Sequence, residues 1–297
     1  MRHVFAAFFV ILAFAFGTKL QAEDAKKPNV LFIAVDDLNH WVEHLARHPQ
    51  TKTPNIDRLA ARGVTFSRAY CAAPLCNPSR AALMSGLRPS TSGVYDNSTD
   101  WRKLIAPELT LTTTFRKGGY KVLGAGKIYH GGFDRRSEWD EYLERPGAEP
   151  QPTGNDGVGG IKFAPLDCKD EELRDYRIAT WCVDQLGKKH DKPFFLACGL
   201  HKPHMPWNVP KKYYDMFPLD KIELPPVKED DLNDVPPAGV RMARPNGDHA
   251  QIVKSGRWKE AVQGYLAAIA YTDMNVGRLL EALDKSPHRD NTIIVFW

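Results

Sequence analysis

Asp36 and Asp37 close the apolar run VLFIAV, Lys127 and His130 follow KVLGAG, and His201 and His204 follow FFLACGL. Cys76 opens the segment CNPSR, with Arg80 four residues on, just beyond VTFSRAYCAAPL. Adjacent acids at the end of a buried strand repel each other unless a cation lies between them. As hard oxygen donors they suit Ca²⁺ or Mg²⁺ rather than zinc, although a helix cap or a surface turn accounts for such a pair equally well. Cys76 sits at a helix start beside a fixed cation, which favours an anion, either a thiolate or a substrate oxyanion. On position alone it is half a disulfide, a metal thiolate, a nucleophile, a precursor of another group, or a structural Cys beside a surface Arg. Lys127 offers a permanent charge, and His130, flanked by glycines, a proton donor or shuttle. The prolines of HKPHMPW stiffen the segment that carries His204 and leave His201 the better candidate for packing. Carboxylates for a hard metal, a nucleophile beside Arg, and Lys and His around an anion together describe hydrolysis of a phosphate or sulfate ester.

Those runs are also the elements that must bring the groups together. PNVLFIAVDD, KVLGAGK, PFFLACGL and NTIIVFW read as buried strands, and VTFSRAY as a further one. TPNIDRLAARG predicts a short helix capped by Asn55 and stopped by Gly63. Asn77 is expected to cap a helix with Pro78 at its first position, running through SRAALMS to Gly86. LTTTFRKGGY, EELRDYRIATWCVDQLGKK and a long stretch from about Trp258 to Lys285 complete the helices. Residues 131–168 read as surface loops with a substrate-facing insertion, and 218–256 as a long connection. Asp100-Trp101-Arg102 is a further candidate for substrate contact, against a solvated loop. Alternating strands and helices imply an α/β sandwich with a largely parallel sheet, whose active-site residues gather at the carboxyl ends of strands.

The 297 residues suffice for one large α/β domain or two small ones, and 43% hydrophobic content allows a sizeable core. A net charge of +4 spread over 40 basic and 36 acidic side chains, with no basic block, makes no case for nucleic acid and is compatible with an anionic substrate. The opening segment has Arg2 and His3, an apolar run from Val4 to Phe16, and Leu20-Gln21-Ala22. That is the form of a secretory signal peptide over 1–22, too short for a membrane span, so a catalytic domain over 28–297 is expected to be exported, periplasmic or secreted, without membrane insertion. Five cysteines are an odd number for an exported chain, so at least one is unpaired or modified. Cys182 and Cys198 read as buried inert thiols, and the pairing of Cys71 and Cys168 stays open.

CNPSR, with Leu83, Ser85 and Gly86 behind it, resembles the C-x-P-S-R signature of the type I, formylglycine-dependent sulfatase family. NVLFIAVDDL, GAGKIYHGG and FFLACGLHKPHMPW are similar to that family's other motifs, in order, from about Asn29 to the end. The resemblance implies an alkaline-phosphatase/sulfatase-like sandwich, a mostly parallel mixed sheet flanked by helices. It implies that a formylglycine-generating enzyme converts Cys76 to formylglycine, whose hydrated aldehyde attacks sulfur and later expels sulfate by re-forming the aldehyde. A thiol has no such exit. Asp36 and Asp37, with an oxygen of residue 76, would bind Ca²⁺, with Mg²⁺ in second place. Arg80 would position the diol and neutralise charge, Lys127 and His204 would bind the sulfate, and His130 would hold the residue-76 hydroxyl. Within the family the likeness is strongest to members that act on 2-O-sulfated iduronate, which makes a 2-O-sulfated uronate in a polysaccharide the expected substrate.

In that family a late strand such as NTIIVFW runs into an acidic residue followed by Asn or His, then a further Lys on the sulfate and a smaller C-terminal subdomain. Here the sequence stops at Trp297. The expectation is a fragment with its C-terminal part missing, which binds Ca²⁺ poorly and turns over no sulfate ester. Two other readings stay open. One is a catalytically silent sulfatase-like protein with a glycan- or anion-binding surface. The other is a phosphate or phosphonate ester hydrolase, because the tetrahedral anions are alike in size.

Overall fold

The computed structural model describes residues 26–144, 146–154 and 156–297, so the leader expected over 1–22 lies outside the described residues. Its strands are β1 (Asn29–Val35), β2 (Lys121–Gly126), β3 (Glu141–Leu143), β4 (Gly157–Val158), β5 (Ile161–Leu166), β6 (Phe194–Leu200), β7 (Trp207–Pro210) and β8 (Thr292–Phe296). Its α-helices are α1 (Pro54–Ala61), α2 (Cys76–Ser85), α3 (Pro89–Ser92), α4 (Leu111–Lys117), α5 (Arg174–Gly187), α6 (Lys211–Tyr214), α7 (Pro237–Ala243), α8 (Asp248–Lys254) and α9 (Trp258–Asp284). Among the described residues no helix is long and apolar enough to cross a membrane.

The main sheet runs β3-β2-β6-β1-β8, and every pairing in it is parallel. Unbroken apolar sequence is what such a sheet demands, because both of its faces are covered. Alternate residues serve the two faces. Leu31, Ile33, Leu196, Cys198 and Leu200 pack with Ile178, Cys182 and Leu186 of α5 and Val276, Leu279 and Leu283 of α9. Val30, Phe32, Ala34, Phe195 and Ala197 face the other way, onto Ala81 and Met84 of α2, Trp101, Tyr129 and Trp139. A smaller sheet, β4-β5-β7, has one antiparallel and one parallel pairing and lies against α9 and α6.

The register fixes where the site must form. Val35 lies beside Leu200, and Gly126 beside Gly199, so β1, β2 and β6 end level with one another. Asp36, Lys127 and His201 therefore leave the sheet along one edge. Two glycines allow this closeness. A Cβ on Gly199 would collide with the backbone of Lys127, and one on Gly126, at φ +78°, with the carbonyl of Gly199. The Lys127 N–H donates to Gly199 O at 2.9 Å, and that of Asp36 to Leu200 O at 3.1 Å.

Several local expectations are corrected. VTFSRAY forms no strand: residues 64–70 are irregular, with Val64, Phe66 and Tyr70 about four-fifths exposed (80%, 78% and 82%), so apolar alternation there reflects no sheet. Helix α1 begins at Pro54, and Asn55 lies inside it. The free N–H groups of Asn55 and Ile56 donate to the Asp273 carboxylate of α9, at 3.1 and 2.8 Å, a cap from a residue more than two hundred positions away. The stretch 131–168 holds β3 and the buried side chains of β5, and 218–256 holds α7 and α8. Trp101 is a core residue stacked on Tyr129 at 4.5 Å, while Asp100 and Arg102 pair with each other.

The Gly199→Ala variant is expected to lose about 1–3 kcal/mol of stability, since β2 and β6 must part to admit the methyl group. Urea unfolding checks this, and an unchanged midpoint would remove the role given to Gly199.

Candidate active site

Helix α2 starts on Cys76 itself, with Leu75 as its cap, not on Pro78 after an Asn77 cap. The reason is tertiary. Asn97 Oδ1 accepts the backbone N–H of Asn77 at 2.9 Å, a cap from outside the helix, and the fully buried Asn77 amide donates to Asp96 O and Thr99 O, both at 2.8 Å, which turns it towards the 96–99 segment. With the helix running from residue 76, Cys76 and Arg80 are one turn apart on one face. That is the physical content of the C-x-x-x-R spacing.

Arg80 reaches back to the strand ends. Its Nη2 donates to Asp36 Oδ1 at 2.6 Å, and its Nη1 to the carbonyls of Lys127 and Ile128 at 2.5 and 2.9 Å. Lys127 Nζ pairs with the other Asp36 oxygen and lies 3.8 Å from Cys76 Sγ. Burial by itself would raise the Asp36 carboxyl, but Arg80 and Lys127 overcome it and hold the group at about 2. His204 Nε2 stands 3.9 Å from Asp36 Oδ2 and 3.8 Å from Asp37 Oδ2, with Nδ1 against the Met205 carbonyl at 2.5 Å. The Nδ1–H must donate to that carbonyl, which leaves Nε2 facing the acids.

Asp37 takes the left-handed backbone conformation, φ 58°, which a non-glycine residue adopts only when its surroundings hold it there. Tyr265 of α9 supplies the hold. Its hydroxyl donates to Asp37 O at 2.8 Å and accepts from Asn39 N at 3.0 Å. Burial and the neighbouring Asp36 push the Asp37 carboxyl up, the signature of two acids sharing a site.

The charge expected to activate Cys76 is engaged elsewhere. Burial, and then Asp36, push its thiol up, and the opposing effects of Lys127 and Arg80 do not reverse this. A thiolate is thus disfavoured, a correction to the expectation from its position at a helix start. Cys71 and Cys168, whose pairing the sequence left open, are free thiols, as are Cys182 and Cys198, which lie together in the core.

Lys127, His130, His201 and His204 line a cavity of about 800 Å³ together with Asp134, Tyr142, Glu144 and Arg174. Asp36, Asp37, Cys76 and Arg80 line a second opening, with Phe66 and Tyr70 at its rim. His130 is buried enough that its Nδ1 is without a partner, and burial, Lys127 and Arg80 lower its proton affinity. His201 packs on His204 with ring centroids 4.7 Å apart and is pushed down to about 3 by burial first and Lys127 next. Its expected packing role holds, and it also faces the cavity. The structure thus brings Asp36, Asp37, Cys76, Arg80, Lys127 and His204 into one cluster, with His130 beside them.

Sequence reasoning missed two residues. Tyr265 carries no signal apart from being one aromatic on a long amphipathic helix. Asp175 is buried on α5 and accepts the N–H groups of His201 and Lys202 at 2.9 and 2.7 Å, which locks the turn that carries His204. Burial raises Asp175 to about 6.

A family model described as Sulfatase matches residues 28–297. A sulfatase of Formosa agariphila is 40% identical over 304 residues, 93% of this chain and 59% of that protein. Human iduronate 2-sulfatase is 31% identical over 314 residues, 95% of this chain and 56% of its own length. The fold is shared with the phosphonate monoester hydrolase of Agrobacterium radiobacter, with a TM-score of 0.74 at 24% identity over 91% of this chain and 62% of that one. The chain belongs to the sulfatase family and has its sandwich fold, and it spans a little over half the length of the two curated relatives.

Removing the central carboxylate in Asp36→Asn leaves two buried cations without their counter-ion and is expected to destabilise the fold by about 3 kcal/mol. Chemical denaturation decides, and a neutral result would mean the cations are solvated. The unfolded chain takes up a proton at His201 near its ordinary 6.5, whereas the folded chain refuses it down to about 3. Stability is therefore fully present above about pH 6.5 and falls as pH drops from there towards 3. Asp175 opposes this between about 6 and its ordinary 3.8, where the folded chain protonates first, but it cancels when wild type is compared with His201→Gln. The variant's pH–stability curve should be flatter over that window, and parallel curves would contradict the assignment.

Proposed function

We propose that this chain forms the catalytic part of an exported sulfuric ester hydrolase that removes sulfate from a sugar, with residue 76 as formylglycine and Ca²⁺ as cofactor. One observation carries the reading. Four chain segments converge so that Cys76, Asp36, Lys127 and Arg80 touch one another at the carboxyl end of the sheet, with His204 alongside. The name of the human relative supports a 2-O-sulfated iduronate as substrate.

The donor set suits a hard divalent cation. Asp36 and Asp37 are adjacent acids whose mutual repulsion a cation relieves, and ligand atoms of Asp36, Cys76 and His204 lie within 4.8 Å of one another. Asp36 keeps lone pairs beyond the two that Arg80 and Lys127 engage. Asp36, Asp37 and an oxygen of residue 76 would hold the ion, which when bound supplies positive charge against the developing charge of the reacting ester.

The chain's own residues then divide the work. Lys127 supplies a fixed positive charge to the sulfate oxygens. His204 commits Nδ1–H to Met205 O, so a proton on Nε2 makes it a second donor to the anion. Arg80 anchors Asp36 and so sets the distance between the helix that bears residue 76 and the strand ends. His130, neutral because burial and cations disfavour its charged form, is able to accept a proton from a hydroxyl at residue 76. The raised thiol disfavours unmodified Cys76 as the nucleophile, whereas a hydrated aldehyde offers both an attacking hydroxyl and a route for releasing sulfate.

Mass spectrometry of the peptide that carries residue 76, from chain produced with a formylglycine-generating enzyme, tests the reading. Conversion should appear as a loss of about 18 Da relative to cysteine. Intact thiol, or a disulfide to Cys71, would favour the silent, anion-binding alternative.

A further inference from the structure

The cavity beside Lys127 and His204 is, at about 800 Å³, of the size that holds a small ligand such as a monosaccharide. An ester held by those two side chains has this space beside it for the alcohol that bears it. Gly131 and Gly132 form part of the rim, so the entrance has no side chain there. Arg174 is the one arginine among the described residues that line the cavity, whose acids are Asp134 and Glu144.

Arg174 is the first residue of α5, and its position relative to His204 is fixed by its neighbour. Asp175 is wholly buried and accepts both N–H groups of the His201–Lys202 turn, so the start of α5 and the His204 segment form one rigid piece. The side chain of Arg174 is incompletely satisfied. Its Nη1 makes one long ion contact to Glu149, 3.8 Å, and its Nε is buried with no partner. A guanidinium has five N–H donors in a fixed plane, matched by a carboxylate or another flat array of anionic oxygens. Glu144 of the lining, exposed and 3.5 Å from Arg136, can accept from sugar hydroxyls, and the neutral His201 ring adds a further polar edge.

We propose that Arg174 is a specificity-determining residue that reads a second anionic group, a carboxylate or a further sulfate, on the sugar whose sulfate ester lies between Lys127 and His204. The inference rests on the sulfate-ester reading of the site. It makes the preferred substrate a ring that carries two anionic groups.

Isothermal titration of the chain with three kinds of probe tests it: inorganic sulfate, N-acetylglucosamine 6-sulfate, and two doubly anionic rings, a 2-O-sulfated hexuronate and glucosamine 2-N,6-O-disulfate. Wild type should bind the doubly anionic rings more tightly than the singly anionic one. Arg174→Met should weaken the doubly anionic probes about tenfold, the scale of a lost charge-assisted hydrogen bond. Arg174→Lys should recover part of that loss, and inorganic sulfate and the monosulfated ring should be unaffected. A loss confined to the hexuronate identifies a carboxylate as the second group, and one confined to the disulfate identifies a sulfate. Equal losses on all probes, with a lowered melting temperature, would show that Arg174 is merely structural. No loss on any probe would also overturn the proposal. If wild type binds neither inorganic sulfate nor the monosulfated ring, the sulfate-ester reading itself fails, and this inference fails with it.

Discussion

The site depends on one carboxylate. Asp36, almost wholly buried, accepts Arg80 on one oxygen and Lys127 on the other. Two cations would not share a desolvated space without it, and the carboxylate would not stay ionised there without them. Each partner also ties down a different element, Arg80 the helix that begins at Cys76 and Lys127 the end of β2. The same ion triad therefore gathers the charge of the site and sets its geometry. Its cost is the removal of charges from water, which the direct hydrogen bonds to carboxylate and carbonyl oxygens offset.

That triad forms because the sheet presents its ends level. The register of β1 with β6 and of β6 with β2 is set by alternate side chains buried on two faces, and a one-residue slip would reverse both faces at once. Gly126 and Gly199 then let the backbones at those ends approach where any side chain would hold them apart. Long-range hydrogen bonds refine the placement. Tyr265 holds the strained Asp37, and Asp175 holds the turn that leads to His204. Both come from helices packed on the sheet face opposite α2, so the same packing that forms the core also aims the site.

The electrostatics divide into two parts. Arg80 and Lys127 are paired with Asp36, while the other titratable groups beside them are biased towards their neutral forms: the thiol is pushed up, and the rings of His130 and His201 are pushed down. Burial is the first cause in all three. Charge in this partly dry site is thus concentrated on Arg80, Lys127 and the two aspartates, where weak screening makes each interaction strong and directional.

The apolar strands, the long amphipathic helices and the residues at the strand exits were legible in the sequence, because buried parallel strands and amphipathic helices impose distinct periodicities on the chain. The Cys76-to-Arg80 spacing was legible too, but their place on one face of one helix was not, because the sequence put the helix start at Pro78 and the structure puts it at Cys76. What only the tertiary structure decided is everything that depends on contacts between distant segments. The strand ends became level, Asn77 was withdrawn from capping by the 96–99 turn, and Asp273 took over the cap of α1. VTFSRAY, with a strand's composition, stayed irregular and exposed, because alternation states a preference that only a hydrogen-bonded neighbour can realise. The proton affinities followed the same division: the types and order of the groups come from the sequence, but their charge states depend on burial and on partners more than ninety residues away, which the packing alone brings together.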